Sequence, residues 1–141
     1  MATLSLEDKE AIRETFSRYS FYMDDGRYGD LAQLFTPDGE WLAGYAQAKG
    51  RAEIESVLAR VNPSKTEGPV RKHFVVNSII EGGSESATSR ASYLVFVARS
   101  DGPEVVVAGT YEDELVKSDG TWYFQRRRLV HDIMGDLAIR I

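Results

Sequence analysis

The sequence predicts an α+β domain, with helices first and an antiparallel sheet after them. Three observations carry this. Apolar residues recur at helical spacing as far as Val61. From Val70 onward the chain becomes four long stretches rich in β-branched and aromatic residues, joined by short turns. Those stretches are apolar on both faces, so the sheet needs cover on both sides.

The elements follow in order. Ser5 is a good N-cap, and Ser5-Leu6-Glu7-Asp8 resembles a capping box with Asp in place of Glu. Ala11, Ile12, Phe16, Tyr19 and Met23 form one apolar stripe, and Gly26 ends this first helix near Asp24 and Asp25. A second, short helix buries Tyr28, Leu31, Leu34 and Phe35. Thr36-Pro37-Asp38-Gly39 is a turn signal, and Glu40 to Ala43 reads as a short strand. The third helix runs from Arg51 to Val61, with Ile54, Val57, Leu58 and Val61 inward, and Pro63 stops it. The four strands are Val70–Glu81, Ala87–Arg99, Glu104–Lys117 and Thr121–Ile133. Short loops make neighbours antiparallel. Strict alternation puts Arg71, His73, Val75, Asn77 and Ile79 on one face, and Arg126 and Arg128 on the face of Trp122 and Phe124.

Composition bounds the function. At 141 residues the chain is expected to be one domain spanning 1–141, without repeats or linkers. There is no cysteine, so disulfides and thiolate chemistry are excluded. The formal charge of -5 and the lack of a basic stripe argue against nucleic acid. The N-terminus lacks an apolar signal core, and no apolar run approaches a membrane span, so a cytoplasmic protein without membrane association is expected. Helices cover only one face of the sheet, and Leu94 to Val97 and Val105 to Val107 are apolar on both. A homo-oligomer joined through the outer sheet face, a dimer or trimer, follows as an expectation.

Two segments bear a likeness to a known family. One is Tyr19-Ser20-Phe21-Tyr22-Met23-Asp24-Asp25-Gly26, leading to Leu31-Ala32-Gln33-Leu34-Phe35 and Asp38. The other is Arg71-Lys72-His73-Phe74-Val75-Val76-Asn77, followed by Gly109-Thr110-Tyr111-Glu112-Asp113-Glu114-Leu115 and by Asp119-Gly120-Thr121-Trp122-Tyr123-Phe124-Gln125-Arg126-Arg127. Their order resembles the SnoaL-like families of the nuclear transport factor 2-like superfamily, over nearly the whole chain. The resemblance implies three helices packed in a strongly curved, mostly antiparallel sheet, a cone around a deep pocket. Scytalone dehydratase and the lindane dehydrochlorinase are the enzymes it brings nearest. Both carry a catalytic Asp at the end of the first helix and a His on the strand after the third. Those places fall on Asp24 and His73. Met23 stands where scytalone dehydratase has a Tyr, and its further pocket His has no counterpart on the Ala87–Arg99 strand, where Tyr93 lies near the place.

The residues fit that chemistry. An imidazole serves as a general base near neutral pH, and an Asp bonded to one ring nitrogen fixes the tautomer. Tyr19, Tyr22 and Tyr45 are candidate phenols for a substrate oxygen, with Trp41 and Phe16 as apolar walls. Asn77 and Arg126 are further candidates for substrate contact. His131 reads as a strand-end contact, and Glu112, Asp113 and Glu114 as surface charge. Two distant histidines make a poor metal site, and no metal or cofactor is expected. Neither a nucleophile elbow nor a phosphate loop is present. The expectation is a cofactor-independent lyase or isomerase acting on a small, mostly apolar cyclic carbonyl compound. A non-catalytic small-molecule binding protein and a small structural subunit of an aromatic-ring dioxygenase are the alternatives.

Overall fold

The computed structural model describes residues 3–62 and 68–136. Helix α1 is Leu6–Asp25. The Ser5 hydroxyl accepts from the Asp8 N–H at 3.0 Å, and Ile12, Phe16, Tyr19 and Met23 are buried along one stripe. Gly26 adopts a left-handed conformation, φ 72°, and ends the helix. A side chain there would be strained, so this glycine fixes where Asp24 points. Helix α2, Tyr28–Ala32, and helix α3, Arg51–Val61, pack beside it. The Tyr28 hydroxyl donates to the Asn62 carbonyl, and Asn62 Nδ2 reaches the Met23 carbonyl at 3.4 Å, so the ends of all three helices are tied together.

Six strands form one mixed sheet: β1 Phe35–Ala43, β2 Ala46–Lys49, β3 Arg71–Gly82, β4 Ser86–Arg99, β5 Gly102–Ser118 and β6 Thr121–Met134. Their order is β2-β1-β6-β5-β4-β3. All pairs are antiparallel except β1 with β6. The second helix is thus shorter than expected. Leu34 lies outside it and Phe35 opens β1, because the Leu34 carbonyl is captured by the Phe124 N–H at 2.9 Å. The Thr36 to Gly39 turn signal survives as a register irregularity inside β1, between Phe35 and Glu40. Pro63 lies outside the described residues.

Two bulges overturn strict alternation. In β3 the register shifts between Val76 and Ser78, and Asn77 takes φ 36°. Beyond it the faces exchange: Ile80 is buried and Ile79 exposed. In β6 Leu115 pairs with Phe124 but Glu114 with Arg126, leaving Gln125 as the extra residue. The inward side chain is therefore Arg127, which is fully buried, and Arg126 and Arg128 face out.

The core fills the space between the helices and the inner sheet face. Phe16 stacks on Phe124, and Tyr19 meets Phe124 and Tyr111 edge-on. On the outer face Phe74, Val76, Ile79, Val105 and Ile133 remain exposed. Among the described residues, no helix is long and apolar enough to cross a membrane.

Candidate active site

His73 and Asp24 meet. Asp24 leaves the last turn of α1 and His73 lies near the start of β3, 49 residues on. His73 Nδ1 is 2.7 Å from Asp24 Oδ1, and the same oxygen accepts the His73 backbone N–H at 2.9 Å. The two side chains are only 10% and 7% exposed. A carboxylate offers only acceptors, so in the neutral ring this contact puts the proton on Nδ1 and leaves the lone pair on Nε2. Two bonds into one oxygen hold the carboxylate against the strand as well as against the ring. Lys72 Nζ lies 3.8 Å from the other oxygen and balances its charge from the solvent side.

His73 lines a cavity between the helices and the inner sheet face. Tyr19, Trp41, Tyr45, Tyr93 and Tyr111 supply an aromatic wall, and Met23, Leu58, Val61, Val95 and Leu129 an aliphatic one. The polar members are Asn62, Arg71, His73 and His131. The space open to a water centre measures about 50 Å³. At roughly 10–15 Å³ per water this holds a few waters.

The phenols in this wall are neutral at pH 7. Burial raises Tyr19 to about 12, and raises Tyr45, Tyr93 and Tyr111 further. The Tyr19 hydroxyl accepts from Trp41 Nε1 at 2.8 Å, which fixes both rings. Tyr45 packs edge-on against Trp41 and lies over His131, ring centroids 5.4 Å apart. Burial lowers the His131 pKa, so this second imidazole is neutral at pH 7. Burial likewise works against the charge of Arg71.

Beneath the cavity floor lies a buried ion pair. Arg127 Nε and Nη2 donate to Asp113 Oδ1 and Oδ2 at 2.8 and 2.9 Å. The Ser89 hydroxyl donates to the same carboxylate at 3.2 Å. The guanidinium sits 3.8 Å from the Tyr111 ring centroid, 4.3 Å from Phe124, 4.4 Å from Tyr19 and 5.3 Å from Phe16. Burial opposes its charge, and the Asp113 carboxylate more than offsets that.

Of the candidate residues, His73, Tyr19, Trp41 and Tyr45 share the cavity wall, and Asp24 stands behind His73. Six expectations are corrected. Tyr22 is off the cavity, on the neighbouring side of α1, under the Arg27 guanidinium at 4.7 Å. The β3 bulge turns Asn77 out of the cavity into an exposed position. The β6 bulge sends Arg126 to the outer face, where it pairs with Glu40 and Glu114. Phe16 belongs to the core under the ion pair, not to the cavity wall. Asp113 is a buried partner and not surface charge, and His131 lines the cavity rather than ending a strand.

The reading from sequence passed over Arg71, Asn62 and Tyr93 as site residues. Arg71 carried a signal, since it shares the His73 face two residues earlier. Asn62 follows α3 and shows nothing in sequence that singles it out.

Comparison with known proteins agrees with this architecture. Residues 4–128 match the model of a family described as a SnoaL-like domain. Rv2910c of Mycobacterium tuberculosis, an uncharacterized protein, is 25% identical over 133 residues, covering 90% of this chain and 87% of the relative. A protein of unknown function with a cystatin-like fold from Nostoc punctiforme superposes with a TM-score of 0.83 at 22% identity, covering 97% of this chain and 99% of that one. A protein from Novosphingobium aromaticivorans provisionally named a scytalone dehydratase gives a TM-score of 0.77 at 27% identity, covering 93% and 88%.

Proposed function

We propose, from the premise that this chain belongs to the SnoaL-like domain family, that it is a cofactor-independent lyase or isomerase for a small cyclic carbonyl compound. The observation that carries this reading is the 2.7 Å contact between His73 Nδ1 and Asp24 Oδ1, beside a cavity walled by aromatic rings. Asp24 holds one ring nitrogen, which leaves Nε2 as the base. The similarity to the provisionally named dehydratase supports the same class.

The chemistry is short. Nε2 takes a proton from the carbon next to the carbonyl. The C–H electron pair passes to the carbonyl oxygen, giving an enolate. Its collapse expels a β-hydroxyl, which leaves as water with the proton returned from the imidazolium, or returns that proton to a different carbon. Asp24 balances the positive charge while the ring holds the proton. A neutral phenol in the wall donates to the oxygen as its charge develops. General base catalysis of this kind contributes roughly 10²–10⁴ in rate.

The test is a turnover screen of single-ring β-hydroxy ketones and enones, followed by His73→Ala on the compound turned over. Turnover should fall by about 10²-fold or more. Undiminished turnover in His73→Ala would refute the mechanism.

A further inference from the structure

Tyr93 carries a polar group in this cavity wall that the fold does not use. Its residue is 3% exposed, and its hydroxyl is buried without a hydrogen-bond partner among the described residues. Leaving such a donor unpaired is costly, so a buried orphan hydroxyl carried by a residue of the cavity wall points to a ligand atom. Tyr19 differs, because its oxygen is engaged by Trp41 Nε1.

The fold builds the place for this hydroxyl. Tyr93 pairs with Gly109 across β4 and β5, and Gly109 pairs with His131 across β5 and β6. A Cβ at Gly109 would lie 2.9 Å from Tyr93 Cε1 and 3.2 Å from Cζ, so the hydroxyl end of the ring rests directly over the glycine. On its other side the ring stacks on Tyr111, centroids 4.1 Å apart and planes 5° apart. The ring is thereby clamped across β5, with its hydroxyl carried toward the His131 side of the cavity.

We infer that the Tyr93 hydroxyl is the hydrogen-bond donor that binds the carbonyl oxygen of the substrate, in a seat made by Gly109 and Tyr111. This rests on the proposed lyase or isomerase reading for the substrate class, and it assigns the phenol that reading leaves open. The hydroxyl stays a donor because burial keeps the phenol neutral. His73 on β3 and Tyr93 on β4 then act on two points of one molecule, the carbon that loses a proton and the oxygen that gains charge.

The experiment uses two probes of one shape, cyclohexanone and methylenecyclohexane, which differ only in oxygen against a CH₂ group. Affinities of both are measured by NMR titration for the wild type and for Tyr93→Phe. The wild type should favour the ketone. Tyr93→Phe should weaken ketone binding by about 3- to 10-fold, the scale of one hydrogen bond, and leave the hydrocarbon unchanged. Its melting temperature should hold or rise, because an unpaired buried hydroxyl has been removed. A merely structural Tyr93 would show a lower melting temperature and equal losses for both probes, which overturns the inference. Equal ketone affinity in wild type and variant overturns it too, as does failure of the wild type to bind either probe. The base reading is scored separately, by deuterium exchange at the ring carbon beside the ketone with His73→Gln. Loss of the Tyr93 effect with His73-dependent exchange intact rejects only this inference; the reverse rejects only the base.

Discussion

Replacing Asp113 with Asn should be among the most damaging isosteric changes available to this protein. The Arg127 side chain is 0% exposed, and both of its short contacts go to the Asp113 carboxylate. Asn keeps the shape and removes the charge. A guanidinium cannot shed its proton, so it stays charged with no counterion. The four surrounding rings give no relief, since they already face the cation in the wild type. Breaking a buried pair from one side costs about 3–5 kcal/mol. Total stability for a domain is about 5–15 kcal/mol, so this is a large share. The melting temperature should fall by roughly 10–15 °C. The assay is urea unfolding with the slope held constant between variants. Arg127→Met should behave differently, because a lone buried carboxylate can take a proton; its destabilisation should shrink as pH falls, while that of Asp113→Asn should not. The double change Arg127→Met/Asp113→Leu should recover most of the loss. A cost below about 1 kcal/mol for Asp113→Asn, the scale of a surface pair, would refute the argument from burial.

Further outcomes follow from other parts of the molecule. Gly109→Ala places a Cβ 2.1 Å from the Val130 carbonyl oxygen, which is backbone and cannot step aside; unfolding should show a loss of about 1–3 kcal/mol or more. Asp8 accepts from Trp122 Nε1 and Lys117 Nζ, both at 2.9 Å, and these bonds, Trp122 first, hold its carboxyl down at about 2. A depressed folded pKa stabilises above the ordinary value of 3.8 and is lost as pH falls toward 2, so Asp8→Asn should flatten the acid side of a melting-temperature profile in that window only. For the exposed apolar outer face we propose a second copy of the chain, since Arg90, Glu112, Arg128, Glu114 and Arg126 alternate in sign beside it and can pair with themselves turned about. Sedimentation should give a dimer mass, reduced to the monomer by Phe74→Lys; a monomer at micromolar concentration in the wild type would remove the proposal.

The local signals in α1 were enough to place the helix end near Asp24 and Asp25, and likeness to a family then singled out Asp24. An N-cap at Ser5, one apolar stripe and a left-handed Gly26 leave little freedom for where Asp24 emerges. The meeting with His73 followed from likeness to a family, because no local rule links residues 49 apart. What failed was parity. One extra residue at Asn77 and another at Gln125 each exchanged the faces of the strand beyond them. Asn77 carried a readable warning, since Asn is among the few non-glycine residues at ease with positive φ. Arg126-Arg127-Arg128 hid its own register, because any of the three could face inward. The clue lay on β5, where Asp113 shares the inward face of Tyr111 and Leu115 and so needs a buried cation. The parallel pairing of β1 with β6 had no sequence signal, as it joins segments far apart along the chain, such as Phe35 with Phe124. Tyr93 lay near a family pocket position but was not taken as a site residue, because an aromatic residue on an inward strand face reads as core and its unpaired hydroxyl exists only in three dimensions.

The central claim is that Asp24 sets the tautomer of His73 and so makes Nε2 the base in the cavity. Nitrogen-15 NMR of the imidazole tests this without any substrate. The neutral ring should carry its proton on Nδ1, with Nε2 showing the shift of an unprotonated nitrogen, and Asp24→Asn should disturb that preference. A neutral ring protonated on Nε2 in the wild type would contradict the account.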